Sequence, residues 1–270
     1  MINLTTLFHL EEPINRIYLF NSVIQYYSFN LNGNKIIIGK CTKENQLINE
    51  RLFLEKENFW NKNELAEIKK FLEKNQISRL KEWVITRSMI KYGINFIFKE
   101  QIDIPFSNII IESNKRNKPN INIESENFEN IIKKEIEEIE ISISHSNKMI
   151  YVALTTNQIG IDCEDVRSFS EEFRKKFVKN DEFNKLKSTL NISNPYSRDK
   201  LYTIIWCIKE STLKIIGDVK ITNISQVKIE IRDQKIISSY PSINFEFVNF
   251  LNIKNGSILI LTLIENKVVI

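Results

Sequence analysis

Cysteine and histidine are both scarce, with three Cys (Cys41, Cys163, Cys207) and two His (His9, His145) among 270 residues. Three is odd and no two stand in a Cys-x-x-Cys spacing, which excludes a disulfide framework and points to reduced thiols in a cytosol. Two histidines are too few to complete a zinc site with those cysteines. A long hydrophobic run is missing too: nothing approaches the ~18 apolar residues of a membrane span. The N-terminal MINLTTLFHLEEP has no basic stretch and meets Glu11-Glu12 early, so no signal peptide is expected and the protein reads as soluble and cytoplasmic. Charge of one sign is also lacking. The net charge is +4, with Lys mixed among Glu almost throughout, which is not the electrostatic footprint of a nucleic-acid binder. Glycine (six) and proline (five) are few and Ile, Asn and Lys abundant in every segment alike. That is a compositional bias, and no function follows from it.

What is present suits a globular fold. The chain is 42% hydrophobic and 27% charged, too apolar and too mixed in sign for disorder, and at this length roughly 75% of the unfolded surface can be buried. Residues 14–55 alternate as short strands, broken at Asn32-Gly33-Asn34. From Asn63 the period changes: Leu65, Ile68, Phe71 and Leu72, then Leu80, Trp83, Val84 and Ile90, predict one or two amphipathic helices ending at Gly93. Residues 107–123 read as strand, polar loop and strand, with Pro119 fixing the loop backbone. Residues 125–140 are an acidic linking helix or loop.

Strands follow at 141–144, 149–154 and 159–164, the last two read as a hairpin across Thr155-Thr156-Asn157-Gln158. Helical patterns return at EEFRKKFVKNDEFNKLKSTL and LYTIIWCIKESTLKIIG, and alternating strands close the chain. The order strands, helices, strands therefore occurs twice. Trp83, Arg87 and Lys91 mirror Trp206, Glu210 and Lys214, with KFLEKN (70–75) and KFVKN (176–180) upstream of each, which predicts a duplicated α+β unit. Two such lobes leave a cleft, where small ligands tend to bind.

The stretch IGIDCEDVR (159–167) sets Asp162, Glu164 and Asp165 almost side by side. Three carboxylates repel unless something cationic compensates them. Residues two apart on a strand share a face, so Asp162 and Glu164 project together while Ile161 and Cys163 turn inward. Paired hard oxygens suit Mg²⁺, whereas a lone Asp-x-Glu is more often a solvated strand end. In WCIKESTLK, Glu210 and Lys214 are the i, i+4 pair of many exposed helices, but Trp206 and Ile208 mark this helix as partly buried, so a third carboxylate can reach the metal with Lys beside it for phosphate. A histidine at a strand end, such as His145, is commonly structural. What singles these features out is their order in one chain.

Ser144-His145-Ser146, then Gly160-Ile161-Asp162-Cys163-Glu164, then Trp206 to Lys214 in the pattern W-x-x-K-E-S-x-x-K, resemble the 4′-phosphopantetheinyl transferases, specifically the surfactin-synthetase-activating, two-lobed monomeric type. Arg79 and Arg87, eight apart, resemble two arginines of that family, and Asn117-Lys118-Pro119 its Gly-Lys-Pro loop. The resemblance covers most of the chain and is strongest over 141–217. It implies an α+β fold of two similar lobes related by a pseudo-twofold axis with a ligand cleft between them. It divides the chain into an N-terminal lobe, 1–135, with the 3′-phosphate and adenine contacts, and a C-terminal lobe, 136–270, with the metal and pyrophosphate site.

By the same resemblance Asp162, Glu164 and Glu210 ligate Mg²⁺, for which Mn²⁺ can substitute. Lys209 and Lys214 hold the pyrophosphate of coenzyme A, and His145 and Arg79 bind its phosphate groups, the 3′-phosphate included. Lys118 and Pro119 line the adenine pocket. Glu182 matches a glutamate near the nucleophile, so the general base is Glu210 or Glu182. The implied reaction is attack by a carrier-protein serine on the β-phosphate of coenzyme A, with release of 3′,5′-bisphosphoadenosine. The partner is an apo acyl or peptidyl carrier protein with an acidic surface, serving fatty-acid, polyketide, nonribosomal-peptide or lysine biosynthesis, docked near 171–190 and the cleft. Neither nucleic acid nor membrane is implied, and the protein is expected to be a monomer. The chemistry suits the residues: a ligand with a pyrophosphate and a further phosphate needs cations, and a bridging metal needs carboxylates opposite. The rivals are a non-catalytic coenzyme A or carrier-binding protein of the same fold, and a metal-dependent phosphodiesterase, for which two histidines are few.

Overall fold

The structure, a computed structural model, describes residues 8, 10, 12–19, 22–31, 34–43, 58–98, 104–113, 118–124, 130–190, 197–217 and 223–265. The Asn32-Gly33 turn and Asn117 lie outside them. The chain forms two compact units. One holds Glu12–Ile143 and Lys148–Thr156; the other holds Ser144–Asn147 and Asn157–Ile270 with the described part of Met1–Glu11. Each is an antiparallel five-stranded sheet with a long helix against it, so the fold is α+β in two similar lobes.

In the first unit β1 (Asn15–Leu19), β2 (Ser22–Leu31) and β3 (Asn34–Thr42) form a meander joined by β6 (Glu140–His145) and β7 (Met149–Thr155), in the order β1-β2-β3-β7-β6. Helix α1 (Lys62–Glu73) starts at a capping box: Glu64 N–H donates to Asn61 Oδ1 (2.9 Å) and Asn61 N–H to Glu64 Oε2 (3.1 Å), which satisfies two otherwise orphaned donors. Helix α2 (Ile77–Phe98) lies against β3 and β7 and buries Leu80, Val84, Met89, Ile90 and Ile94. Gly93 does not end this helix as its type suggested. It sits inside it, because a β-carbon there would come 2.2 Å from Leu154 Cδ1 on β7. Strands β4 (Ile109–Ser113) and β5 (Pro119–Ile123) pair separately, and α3 (Asn130–Glu137) occupies the acidic linker.

In the second unit β8 (Ile159–Asp165), β9 (Lys228–Arg232), β10 (Lys235–Ser239), β11 (Glu246–Lys254) and β12 (Ser257–Glu265) order as β8-β12-β11-β10-β9. Strands β7 and β8 are not the expected hairpin. β7 bonds β3 in one sheet and β8 bonds β12 in the other, pairings between residues far apart in sequence. The β11–β12 turn is Asn255-Gly256, both at positive φ (52° and 75°), the geometry that matches strand twist in a two-residue loop. Short helices α4 (Glu171–Lys175) and α5 (Asn180–Thr189) precede the long α6 (Ser197–Ile216), which lies on β8, β12 and β10. Phe169, Phe173 and Phe177 cluster around Trp206 of α6, with ring centroids 5.2–6.1 Å from the indole. A satisfied polar strip runs beneath the same helix: Ser211 with Thr262 (2.6 Å), Thr212 with Ser238 (2.8 Å), and Thr262 with Asn249 (2.8 Å). Such buried networks admit few alternative seatings, which fixes the helix's register on the sheet.

The duplication holds, but its register differs from the Trp-x3-x-x3-Lys alignment. The structurally matching residues are Glu64 with Glu182 and Lys91 with Lys209: each Glu is the third residue of a capped helix, and each Lys is a fully buried residue of the long helix that reaches back to it. A four-residue spacing recurs on any helical face, so the Trp83/Trp206 match carried no register information.

Candidate active site

The close seating of α6 on β8 builds the site. A β-carbon on Gly160 would lie 1.9 Å from the Ser211 carbonyl oxygen and 3.1 Å from Ile215 Cγ1, so only glycine allows this approach. Two and four residues on, the same face of β8 presents Asp162 and Glu164, while Ile161 and Cys163 are buried. Helix α6 opposes them with Trp206, Glu210 and Lys214, spaced four apart and so on one face.

Asp162 is the centre of the contacts. Its Oδ1 accepts from Lys214 Nζ (2.8 Å) and from Ser144 Oγ (2.9 Å), and Lys214 also donates to the Ile161 carbonyl (2.8 Å). Ser144 Oγ in turn accepts from Cys163 N–H (3.0 Å), so one hydroxyl bridges the Asp162 carboxylate and the β8 backbone. The other oxygen, Oδ2, is buried, and among the described residues nothing donates to it. Glu164 is half-buried, bonded to Arg167 (3.2 Å) and to the Trp206 side chain. Burial raises its pKa, the Arg167 charge opposes that, and Asp162 adds to it. Glu210 is raised as well, by burial first, then by Asp162, with Lys214 opposing and Glu164 adding. Three carboxylates thus lie within electrostatic reach of one another beside one lysine. Asp165 stands apart, accepting from Ser257 Oγ (2.7 Å) on β12.

The donor types fit a hard divalent cation, and the unpartnered Oδ2 of Asp162 is the atom such an ion satisfies. Among the described residues no three His, Cys, Asp or Glu side chains already converge as a ligand cluster. Glu164 is turned to Arg167.

Residues 158–263 match the model of the 4′-phosphopantetheinyl transferase superfamily. The matched segment is 106 of the chain's 270 residues. It contains Asp162, Glu164, Trp206, Glu210 and Lys214 together. Two relatives are similar over part of the chain: the 4′-phosphopantetheinyl transferase psf-1 of Bacillus pumilus, 25% identical over 125 residues (46% of each chain), and the 4′-phosphopantetheinyl transferase gsp of Aneurinibacillus migulanus, 27% identical over 116 residues (43% of this chain, 41% of the relative). The chain thus spans under half the length of these relatives.

Of the remaining residues expected at a phosphopantetheinyl transferase site, His145 is exposed at the end of β6, next to Ser144. Arg79 is exposed on α2, Lys118 is ion-paired with Glu140, and Pro119 opens β5. Arg87 stacks over Trp83 (4.0 Å) and is half-buried. Lys209 and Glu182 are both buried (0% and 2% side-chain exposure) and form an ion pair of 2.9 Å with each other. Adjacent helix positions differ by about 100°, which separates Lys209 from Glu210. Two contributors went unassigned from sequence. Ser144 gave no signal beyond its place in Ser-His-Ser; Gly160, in a chain with six glycines, was the available clue.

Proposed function

We propose that the protein transfers the 4′-phosphopantetheine group of coenzyme A to a serine of an apo acyl or peptidyl carrier protein, as a cytoplasmic monomer of the surfactin-synthetase-activating type. The observation that carries the reading is the buried Asp162, with one oxygen held by Ser144 and Lys214 and the other unpartnered, facing Glu210 in the segment that matches the superfamily. Asp162, Glu164 and Glu210 would hold Mg²⁺ or Mn²⁺, with Glu164 released from its pair with Arg167. When bound, the cation offsets pyrophosphate charge.

Lys214, part-exposed beside Asp162, contacts the pyrophosphate. His145 binds a phosphate from its exposed position, and Arg79, Lys118 and Pro119, all within residues 1–135, serve the 3′-phosphate and adenine. The serine oxygen bonds to the β-phosphorus, and the bond from that phosphorus to the bridging oxygen breaks, releasing 3′,5′-bisphosphoadenosine. The serine proton passes to Glu210, beside Asp162 and Lys214, since Glu182 is committed to Lys209. That none of the three cysteines is in a disulfide is consistent with a reducing compartment.

Mass spectrometry of an apo carrier incubated with the protein, coenzyme A and Mg²⁺ tests this. The expected result is a gain of about 340 Da on the carrier serine, lost in Asp162→Ala. No gain on several carriers, with coenzyme A still bound, leaves a non-catalytic binding protein as the better reading.

A further inference from the structure

The buried Lys209–Glu182 pair has an internal control, because the chain builds the same device twice. In the second unit Lys209 Nζ donates to Glu182 Oε2 (2.9 Å) and to the Val227 carbonyl (2.6 Å), while Glu182 Oε1 accepts from Ile229 N–H (3.0 Å). In the first, Lys91 Nζ donates to Glu64 Oε2 (2.6 Å) and to the carbonyls of Phe106 (2.8 Å) and Phe59 (3.0 Å). Glu64 and Lys91 are 27 residues apart, as are Glu182 and Lys209. The carbonyl partner also corresponds: Phe106 opens the 3-10 turn before β4, and Val227 follows the 3-10 turn before β9. Both lysines have no exposed side-chain surface.

The copies differ at the next residue. Lys209 is followed by Glu210, Lys91 by Tyr92. The first unit keeps the buried pair without a carboxylate beside it, so the pair is part of the repeat's architecture, independent of any ligand chemistry. In the second unit the same clamp ties α6 to the start of α5 and to the entry of β9, and so sets both the rotation and the axial position of α6. One residue on, about 100° around the helix, that setting turns Glu210 toward Asp162.

Building on the reading given above, we propose that Lys209 and Glu182 are positioning residues that clamp α6 so that Glu210 joins Asp162 and Glu164, and that neither touches coenzyme A or the carrier serine. Groups that orient metal ligands without touching the metal typically govern affinity by 10–100-fold, and replacing both members of a buried pair at similar volume is tolerated far better than removing one.

The test is Mn²⁺ titration of the full chain followed by electron paramagnetic resonance, with metal-free coenzyme A affinity by calorimetry and melting temperature alongside. Lys209→Met and Glu182→Gln are each expected to weaken Mn²⁺ about tenfold or more and to leave coenzyme A affinity within about twofold; the double variant, which leaves no unpaired buried charge and so folds more readily but lacks the clamp, is expected to stay weakened for Mn²⁺ by about tenfold. Equal loss of coenzyme A affinity in Lys209→Met and the double variant overturns the proposal, because Lys209 then binds phosphate. So does unchanged Mn²⁺ affinity in folded single variants with lowered melting temperature, because the pair is then structural only. Where a single variant fails to fold, the double variant decides: weakened Mn²⁺ binding with coenzyme A affinity retained supports the clamp, and retained Mn²⁺ affinity or lost coenzyme A affinity overturns it. Glu210→Gln separates the two readings. If it binds Mn²⁺ like the unaltered protein, the metal site itself fails and the clamp has nothing to position.

Discussion

Lys214 Nζ stands 2.8 Å from Asp162 Oδ1, joining the end of α6 to the middle of β8 with the only partly exposed member of the pair being the lysine (29% against 9% for the carboxylate side chain). Lys214→Met keeps the aliphatic stem and removes the charge. Asp162 then keeps Ser144 as its donor and loses its cation in a buried position, which is expected to cost about 1–3 kcal/mol of stability by urea unfolding. The transfer rate is expected to fall about 10²-fold or more, the scale of losing one charge-stabilising group. A rate within threefold of the unaltered protein removes Lys214 from the phosphate site.

Burial first, and then Asp162, raises the pKa of both Glu164 and Glu210, and a divalent cation relieves such repulsion, so metal is expected to stabilise the fold. At 100 times its dissociation constant Mg²⁺ contributes about 2.7 kcal/mol, which for a chain of this size is a rise of about 5–10 °C in melting temperature. Asp162→Asn, which can still accept from Ser144, is expected to abolish the rise. An equal rise in the variant places the cation elsewhere.

Where local periodicity decides, the sequence already contained the site. The two-residue repeat put Asp162 and Glu164 on one face of β8, and the four-residue repeat put Trp206, Glu210 and Lys214 on one face of α6; both faces are those that meet. What stayed hidden depends on contacts distant in the chain. β8 bonds β12 rather than β7, a choice that local alternation does not encode. Gly93 read as a helix stop because its reason, Leu154, is 61 positions later in the chain. Lys209 and Glu210 differ by a single step, and only the location of Glu182 and Val227 shows that one lysine turns inward while its neighbour faces Asp162.

All three cysteines are buried and none is in a disulfide, and burial pushes the Cys163 thiol up to about 12 and Cys207 well above its ordinary value. The thiolate is the reactive form, and for a thiol at about 12 it amounts to roughly one part in ten thousand at pH 8. A disulfide reagent such as Ellman's is therefore expected to titrate almost nothing in the native protein at pH 8 and all three thiols in guanidinium. The sign follows from protonation: raising the pH toward 12 increases the thiolate, so native labelling should speed up with pH. Fast native labelling of Cys163 at pH 8 contradicts its burial beside Ser144.

Gly160 and Gly93 each permit a helix and a strand to touch, but against different neighbours. A β-carbon at Gly160 meets the Ser211 carbonyl oxygen at 1.9 Å, backbone that moves only if α6 lifts from β8; at Gly93 it meets a Leu154 methyl at 2.2 Å, which a rotamer change can relieve in part. Gly160→Ala is therefore expected to cost more than the usual 1–3 kcal/mol of overpacking, and Gly93→Ala to stay within it. The consequences for activity should diverge further. Lifting α6 separates Glu210 and Lys214 from Asp162, so Gly160→Ala is expected to lose carrier modification at temperatures where it is still folded, whereas Gly93→Ala, in the other unit, keeps these three residues in place. Equal stability losses in the two variants, or full activity in Gly160→Ala, would show that α6 reaches Asp162 without the close seating on β8.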